Sequence, residues 1–259
     1  MKIKLFIIAF LVLISPTISR AEPAFVQAGY YPDQCSSSSC DITFNIDSLS
    51  VTAGNLIVVG VRTDDEGGVV SSVTSNPGSQ SCSEAIEQIS QTAFWLEVWY
   101  CPNATGGSTT VTVNLTGTIG VGNRFAIAEY SGVATSSPVH GTPISAAGTS
   151  STADAGDYTT TESNALLVLW AGTDGNDDFG PDATPPAGWS KPYLGPDPGD
   201  GADKFAMAYR VAATAGTYDA YFNNADDTWA AAAVAFEALG GESPSSAGGG
   251  SFGGTGTFR

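Results

Sequence analysis

Basic residues are scarce in this 259-residue chain: nine Lys and Arg stand against 26 Asp and Glu, for a formal charge of −17. Nucleic acids and anionic membrane surfaces repel such a polyanion, because proteins that bind them draw affinity from Lys and Arg. No nucleic-acid partner is therefore expected. Histidine is scarcer still. His140 is the only one, in a turn-like PVHGTP, so the general base of a nucleophilic triad has no good candidate. A zinc site lacks imidazole ligands to join its cysteines for the same reason. Beyond the N-terminus no apolar run approaches the ~20 residues needed to cross a bilayer as a helix. Trp229 to Phe236 is apolar but only of strand length. No membrane span is expected.

Residues 1–21, MKIKLFIIAFLVLISPTISRA, have the layout of a secretory signal peptide. Lys2 and Lys4 precede an apolar stretch, and Ser19-Arg20-Ala21 puts small residues where a signal peptidase reads them. Removing Lys2, Lys4 and Arg20 leaves six basic residues against 26 acids, a charge of −20 on the exported chain. Such a charge suits a secreted or cell-surface protein in a salty or calcium-containing medium. An even number of cysteines in an exported chain suggests two disulfides with three possible pairings. Cys35–Cys40, a small loop staple, and Cys82–Cys101, joining neighbouring strands, are favoured. With 31 Gly and 14 Pro the composition argues for many strands and turns. Residues 22–239 are read as one β-sandwich domain. Residues 240–259, GGESPSSAGGGSFGGTGTFR, are read as a flexible Gly/Ser-rich tail. The tail's Gly249 to Gly253 fits the serine-hydrolase elbow pattern but lacks the strand and helix which that elbow requires.

The chain is organised around Phe94 to Gly132, three strands and two turns. In FWLEVWYC, Phe94, Leu96, Val98 and Tyr100 share one face, and Trp95, Glu97, Trp99 and Cys101 share the other. The first set is a core set. On the second, an unpaired buried carboxylate would be costly, so Glu97 argues that its face meets water or another surface. TTVTVNLT and RFAIAEYSG follow as strands. GNLIVVGVR, Gly54 to Arg62, is an apolar run of the kind buried on both sides. Residues from SSPVHGTPISAAG to YTTTES read as two weak strands that link two halves.

The second half repeats the first. SNALLVLWAGTDG follows the plan of GNLIVVGVRTDD, PPAGWSKPY that of NPGSQSCSE, FAMAYRVAATAGTYDAYFN that of LEVWYCPNATGGSTTVTVN, and WAAAAVAFEALG that of RFAIAEYSGVA. The offset stays at roughly 107–111 residues. The expected fold is all-β: a two-sheet antiparallel, jelly-roll-like sandwich with an internally duplicated strand pattern, both halves sharing one core.

GNLIVVGV, VTSNPGS, VWYCPNATGGSTTVTVNLTGT, AIAEYSGVATSSPV and TWAAAAVAFEA resemble a family of uncharacterised bacterial secreted β-sandwich domains over residues 24–239. The resemblance implies a jelly roll similar to concanavalin-A-like lectin and glucanase domains, often found in large surface proteins. It is nearly silent on chemistry.

Three site hypotheses follow. Trp95, Glu97 and Trp99 combine indoles, on which sugar C–H faces stack, with a carboxylate for sugar hydroxyls. Asp174, Asn176 and Asp178 have the alternating spacing of loop calcium ligands, and Asp64-Asp65-Glu66 follow the equivalent first-half strand. Phe179 and Pro185 fill positions where an EF-hand needs Gly and Glu, so this is no EF-hand. A further acidic group, Asp197, Asp200 and Asp203 with Asp226 and Asp227, is expected at the opposite end. Thirdly, Glu97 and Glu129 both lie on strands and are considered as a glycosidase pair. The leading reading is a non-enzymatic binding module for extracellular polysaccharide or surface glycan that requires no cofactor beyond a possible Ca2+. The alternative is a structural or adhesive subunit of a surface layer, appendage or matrix, which would contact surface proteins and self-associate. A glycoside hydrolase using Glu97 and Glu129 is the third.

Overall fold

The computed structural model describes residues 21–30, 37–43, 50–64, 69–76, 78–91, 93–117, 123–175, 179–193 and 204–240. The strands of the first half are β1 (Ala24–Tyr30), β2 (Ser39–Thr43), β3 (Leu56–Asp64), β4 (Val69–Asn76), β5 (Gln80–Ser81), β6 (Ser83–Ser90), β7 (Phe94–Cys101), β8 (Thr110–Thr116) and β9 (Arg124–Ser131). The second half has β10 (Val139–Thr160), β11 (Ala165–Thr173), a single helical turn α1 (Phe179–Asp182), β12 (Ser190–Tyr193), β13 (Phe205–Ala212) and β14 (Gly216–Phe236). All strand pairing is antiparallel.

The all-β sandwich expected from the sequence is present, but it is built from three sheets rather than two. Their strand orders are β2-β8-β4-β5, β1-β9-β3-β7-β6 and β10-β14-β11-β13-β12. The reason lies in the strands that are apolar on both faces. Ile57, Val59 and Val61 of β3 pack with Val111, Val113 and Leu115 of β8 on one side. Leu56 and Val58 pack on the other side with Leu166, Val168 and Trp170 of β11. A strand apolar on both faces needs a layer on each. Strand β8, by contrast, alternates buried Val111, Val113 and Leu115 with more exposed Thr110, Thr112 and Asn114, as an outer strand should.

The long strands β10 and β14 supply the fourth layer. Their register shifts between Ser150 and Thr152 and again between Asp154 and Gly156, and such bulges bend a hairpin. Beyond the bend, Ala153, Tyr158, Ala220 and Phe222 pack against Leu167, Leu169, Ala206 and Ala233 on the outer face of the third sheet. The two weak linking strands expected around residues 138–162 are thus one continuous strand, as are the two strands expected between Gly216 and Phe236.

The second and third sheets read in the same order when β1, β9, β3, β7 and β6 are set against β10, β14, β11, β13 and β12. Register agrees at the centre: Leu56 faces Tyr130 across β3 and β9, and Leu166 faces Phe236 across β11 and β14. The sheets meet by size complementarity. A Cβ on Gly60 would lie 2.2 Å from the Trp170 indole, so the absent side chain is what admits the ring. Trp170 also stacks on Phe205 at 5.0 Å between centroids. At the next position the sizes reverse. The Arg62 side chain lies against Gly172, donates from Nε to the Thr173 carbonyl at 3.2 Å and covers the Phe94 ring at 4.7 Å.

Candidate functional site

Strand β7 carries Trp95, Glu97 and Trp99 on the face that looks toward the first sheet, opposite Thr63, Val61 and Val59 of β3. Both indoles are half-buried, and Trp99 packs at the margin of the core between the first two sheets. Glu97 is only 3% exposed. The expectation that Glu97 marks a face other than dry core is corrected here. The face lies toward the neighbouring sheet, and only the two indoles keep partial access to solvent. Desolvation pushes the Glu97 carboxyl up to about 7. The Trp99 Nε1 bond to Glu97 Oε2, at 2.8 Å, pulls it back down in part, and the nearby Glu84 carboxylate pushes it up further. The difficulty of burying this acid is thus met by holding its proton. Glu84, directly opposite Trp99 on the edge strand β6, is shifted upward as well, by burial first and then by Glu87.

Glu129 has a different environment. It is fully buried on β9. It accepts bonds from Gln27 Nε2 on β1 at 2.5 Å, from the Thr52 amide at 2.8 Å and from Asn55 Nδ2 at 2.6 Å. The carboxylate therefore ties β9 to β1 and to the turn that opens β3. Glu129 faces Ile57 and Glu97 faces Val61 on the same intervening strand. Four residues along a strand and two strand spacings put their Cα atoms about 16 Å apart, and the two carboxyls have separate partners, Trp99 for Glu97 and Gln27, Thr52 and Asn55 for Glu129.

Cys82 and Cys101 form the disulfide expected between neighbouring strands, next to the paired Ser83 and Tyr100. Cys40 is also disulfide-bonded, and Cys35 lies outside the described residues. Of the calcium candidates, Asn176 and Asp178 lie outside the described residues. Asp174 is held by its backbone: its amide donates to the Thr228 carbonyl at 3.1 Å, and its carbonyl accepts from Lys204 Nζ. The second acidic group is not at the opposite end as expected. Thr173 pairs with Trp229, so Asp226 and Asp227 on β14 fall beside the Asp174 end of β11. The cause is that β11 and β12 both run antiparallel to β13, so β12 runs in the same direction as β11 and the expected alternation is broken there. Asp197, Asp200 and Asp203 lie outside the described residues. Among the described residues, no group of three or more His, Cys, Asp or Glu is placed to hold a metal ion, and no helix is long and apolar enough to cross a membrane.

Sequence reasoning missed the outer edge of β10. This strand is the terminal member of the third sheet, and among the described residues it pairs with β14. Beside it, an open groove of about 660 Å³ runs between β6 and β10, lined on the β6 side by Ala85, Ile86, Glu87 and Ile89 and on the β10 side by uncharged residues such as Thr142 and Ser145. A signal was available: residues 141–153 carry no charge in a strongly acidic chain.

Fold and site together define an antiparallel all-β sandwich protein with a long strand edge and an acid–indole pair under a partly covered face. Comparison with protein-family models, with curated proteins and with solved structures gives no match to the chain. The resemblance to concanavalin-A-like jelly rolls rests on the motifs quoted above.

Proposed function

We propose that this protein is an extracellular, non-enzymatic structural or adhesive subunit that associates with its own kind or with surface proteins through strand edges. The supporting observation is β10. It is a 22-residue strand at the end of a five-stranded sheet. A long strand at the end of a sheet is a template for another strand, and monomeric proteins usually shorten or charge it. The Cys82–Cys101 disulfide fits an oxidising compartment. The test is sedimentation velocity and electron microscopy of the purified protein over a concentration series, with and without calcium. Discrete oligomers or filaments support the subunit reading, and a monomer at every concentration refutes it.

A second reading is favoured by Trp95 and Trp99. Two half-exposed indoles on one strand, flanking a carboxyl that is partly protonated near neutrality, would suit stacking against a neutral polysaccharide. Retention on a glycan panel that a folded Trp95→Ala/Trp99→Ala variant loses would establish it. Equal behaviour of the two proteins would dismiss it.

A further inference from the structure

We infer that two copies of this chain join edge to edge through Ile144–Ser150 of β10, antiparallel about a two-fold axis at Ala147, merging their third sheets into one ten-stranded sheet. This rests on the subunit reading and names its contact.

Continuity of the edge selects the segment. Register is broken between His140 and Ile144 and again between Ser150 and Thr152, but from Ile144 to Ser150 the pairing with Ala233 to Asp227 is unbroken. It is the longest unbroken run of β10; Gly156–Thr160 also pairs without a break but carries Asp157. Within the chosen run the Gly148 carbonyl accepts from Gln91 Nε2 at 3.4 Å. Charge selects the occupant. Two copies of a chain at −17 repel each other over most of their surface, and residues 141–153 are free of charge. Among the other terminal strands, β6 carries Glu84 and Glu87, β2 carries Asp41, β12 carries Lys191 and Pro192, and β5 is only two residues long. Strand β1 is uncharged but is seven residues long, with its own register shift between Phe25 and Gln27.

The segment is also complementary to itself. With Ala147 on the axis, Ser145 of one copy faces Thr149 of the other, and Ala146 faces Gly148. Small side chains allow close approach, and Ser–Thr pairs can bond across strands. Ser145, Ala147 and Thr149 share the face of Ala232, Ala230 and Thr228, their partners on β14. Ala230 and Ala232 belong to the core between the second and third sheets, so this is the side that looks over the β6 groove. A strand added beyond β10 would lie above that groove. It would cover Ala85 and Ile89, which are only partly buried at the margin of that core. A two-fold contact of this kind is closed and yields dimers.

The experiment uses the purified protein and three variants at the exposed Ala147. Sedimentation of the unaltered protein should show a concentration-dependent dimer. Ala147→Asp and Ala147→Lys should each weaken association by more than about tenfold, because each places like charges against each other across the axis. Mixing the two variants sets opposite charges there and should restore dimers, which variants that had failed to fold would not do. Ala147→Cys adds a thiol to a chain without free cysteines among its described residues, and without reductant it should give a covalent dimer. If the protein associates but all three variants associate as before and the cysteine variant does not cross-link, this interface is wrong and the subunit reading survives. If the unaltered protein stays monomeric, both fall.

Discussion

Glu97 sits where a protonated carboxyl is tolerated better than a carboxylate, and this gives its contribution to stability a definite sign. Its native carboxyl titrates at about 7 against 4.5 for the free side chain. The folded protein therefore binds the proton more tightly than the unfolded chain. The stabilising effect is complete below about pH 4.5 and is lost as pH rises through about 7, a swing of roughly 3 kcal/mol. Glu97→Gln keeps an acceptor for Trp99 Nε1 and removes the titration. Its urea midpoint should exceed that of the unaltered protein at pH 8.5, and the difference should shrink or reverse at pH 5. Glu129 has a structural role instead, since its carboxyl accepts from three donors. Glu129→Ala would strand the side chains of Gln27 and Asn55 and the amide of Thr52 in a buried position. A loss of about 2–4 kcal/mol is expected, measured by denaturant unfolding. The sequence could not reveal the burial of Glu97. Alternation in FWLEVWYC fixes which residues share a face, but what lies against that face is decided by strands far away in the chain.

Strands with strong apolar or β-branched signatures were legible from sequence almost to the residue: β3, β7, β8, β9 and β11 all lie where hydrophobic runs and turns put them. The continuity of β10 and β14 was not. Ile144–Ser150 is made of small residues with weak preferences, and the bends at Ser150 and Asp154 depend on packing over the third sheet rather than on a local turn signal. The contact between the central strands β3 and β11 was equally invisible, because it depends on one glycine. A methyl group at Gly60 would enter the space of the Trp170 ring. Gly60→Ala is therefore expected to lose at least about 1–3 kcal/mol through overpacking. Adding Trp170→Phe, which takes away the outer part of the indole, should recover part of that loss. Recovery in a double-mutant cycle would show that the two positions are coupled directly.

The two halves are stacked sandwiches with a common interior. The inner cluster draws Leu56, Val58, Leu96, Val98 and Tyr130 from the first half and Leu166, Val168, Trp170, Met207 and Phe236 from the second. Each half also has a cluster of its own on its outer side, between the first and second sheets and beneath the folded-back hairpin. Those outer clusters might suggest two independent folding units. The inner one argues against it. Half of the apolar surface of the second and third sheets faces the other half of the chain, and it would be exposed to water if either half opened alone. A face of five strands bared in this way forfeits burial at about 25 cal/mol per Å², a large loss against the 5–15 kcal/mol that holds a typical domain together. The Arg62 guanidinium adds to the penalty, since its bond to the Thr173 carbonyl crosses the same boundary. The chain should therefore unfold in one transition, with calorimetric and van't Hoff enthalpies in agreement. A fragment ending at residue 133 should lack the dispersed side-chain signals of a packed core in its NMR spectrum, even with its disulfide formed. Two resolved transitions, or a folded fragment, would mean that the outer clusters suffice and that the inner one joins two finished domains.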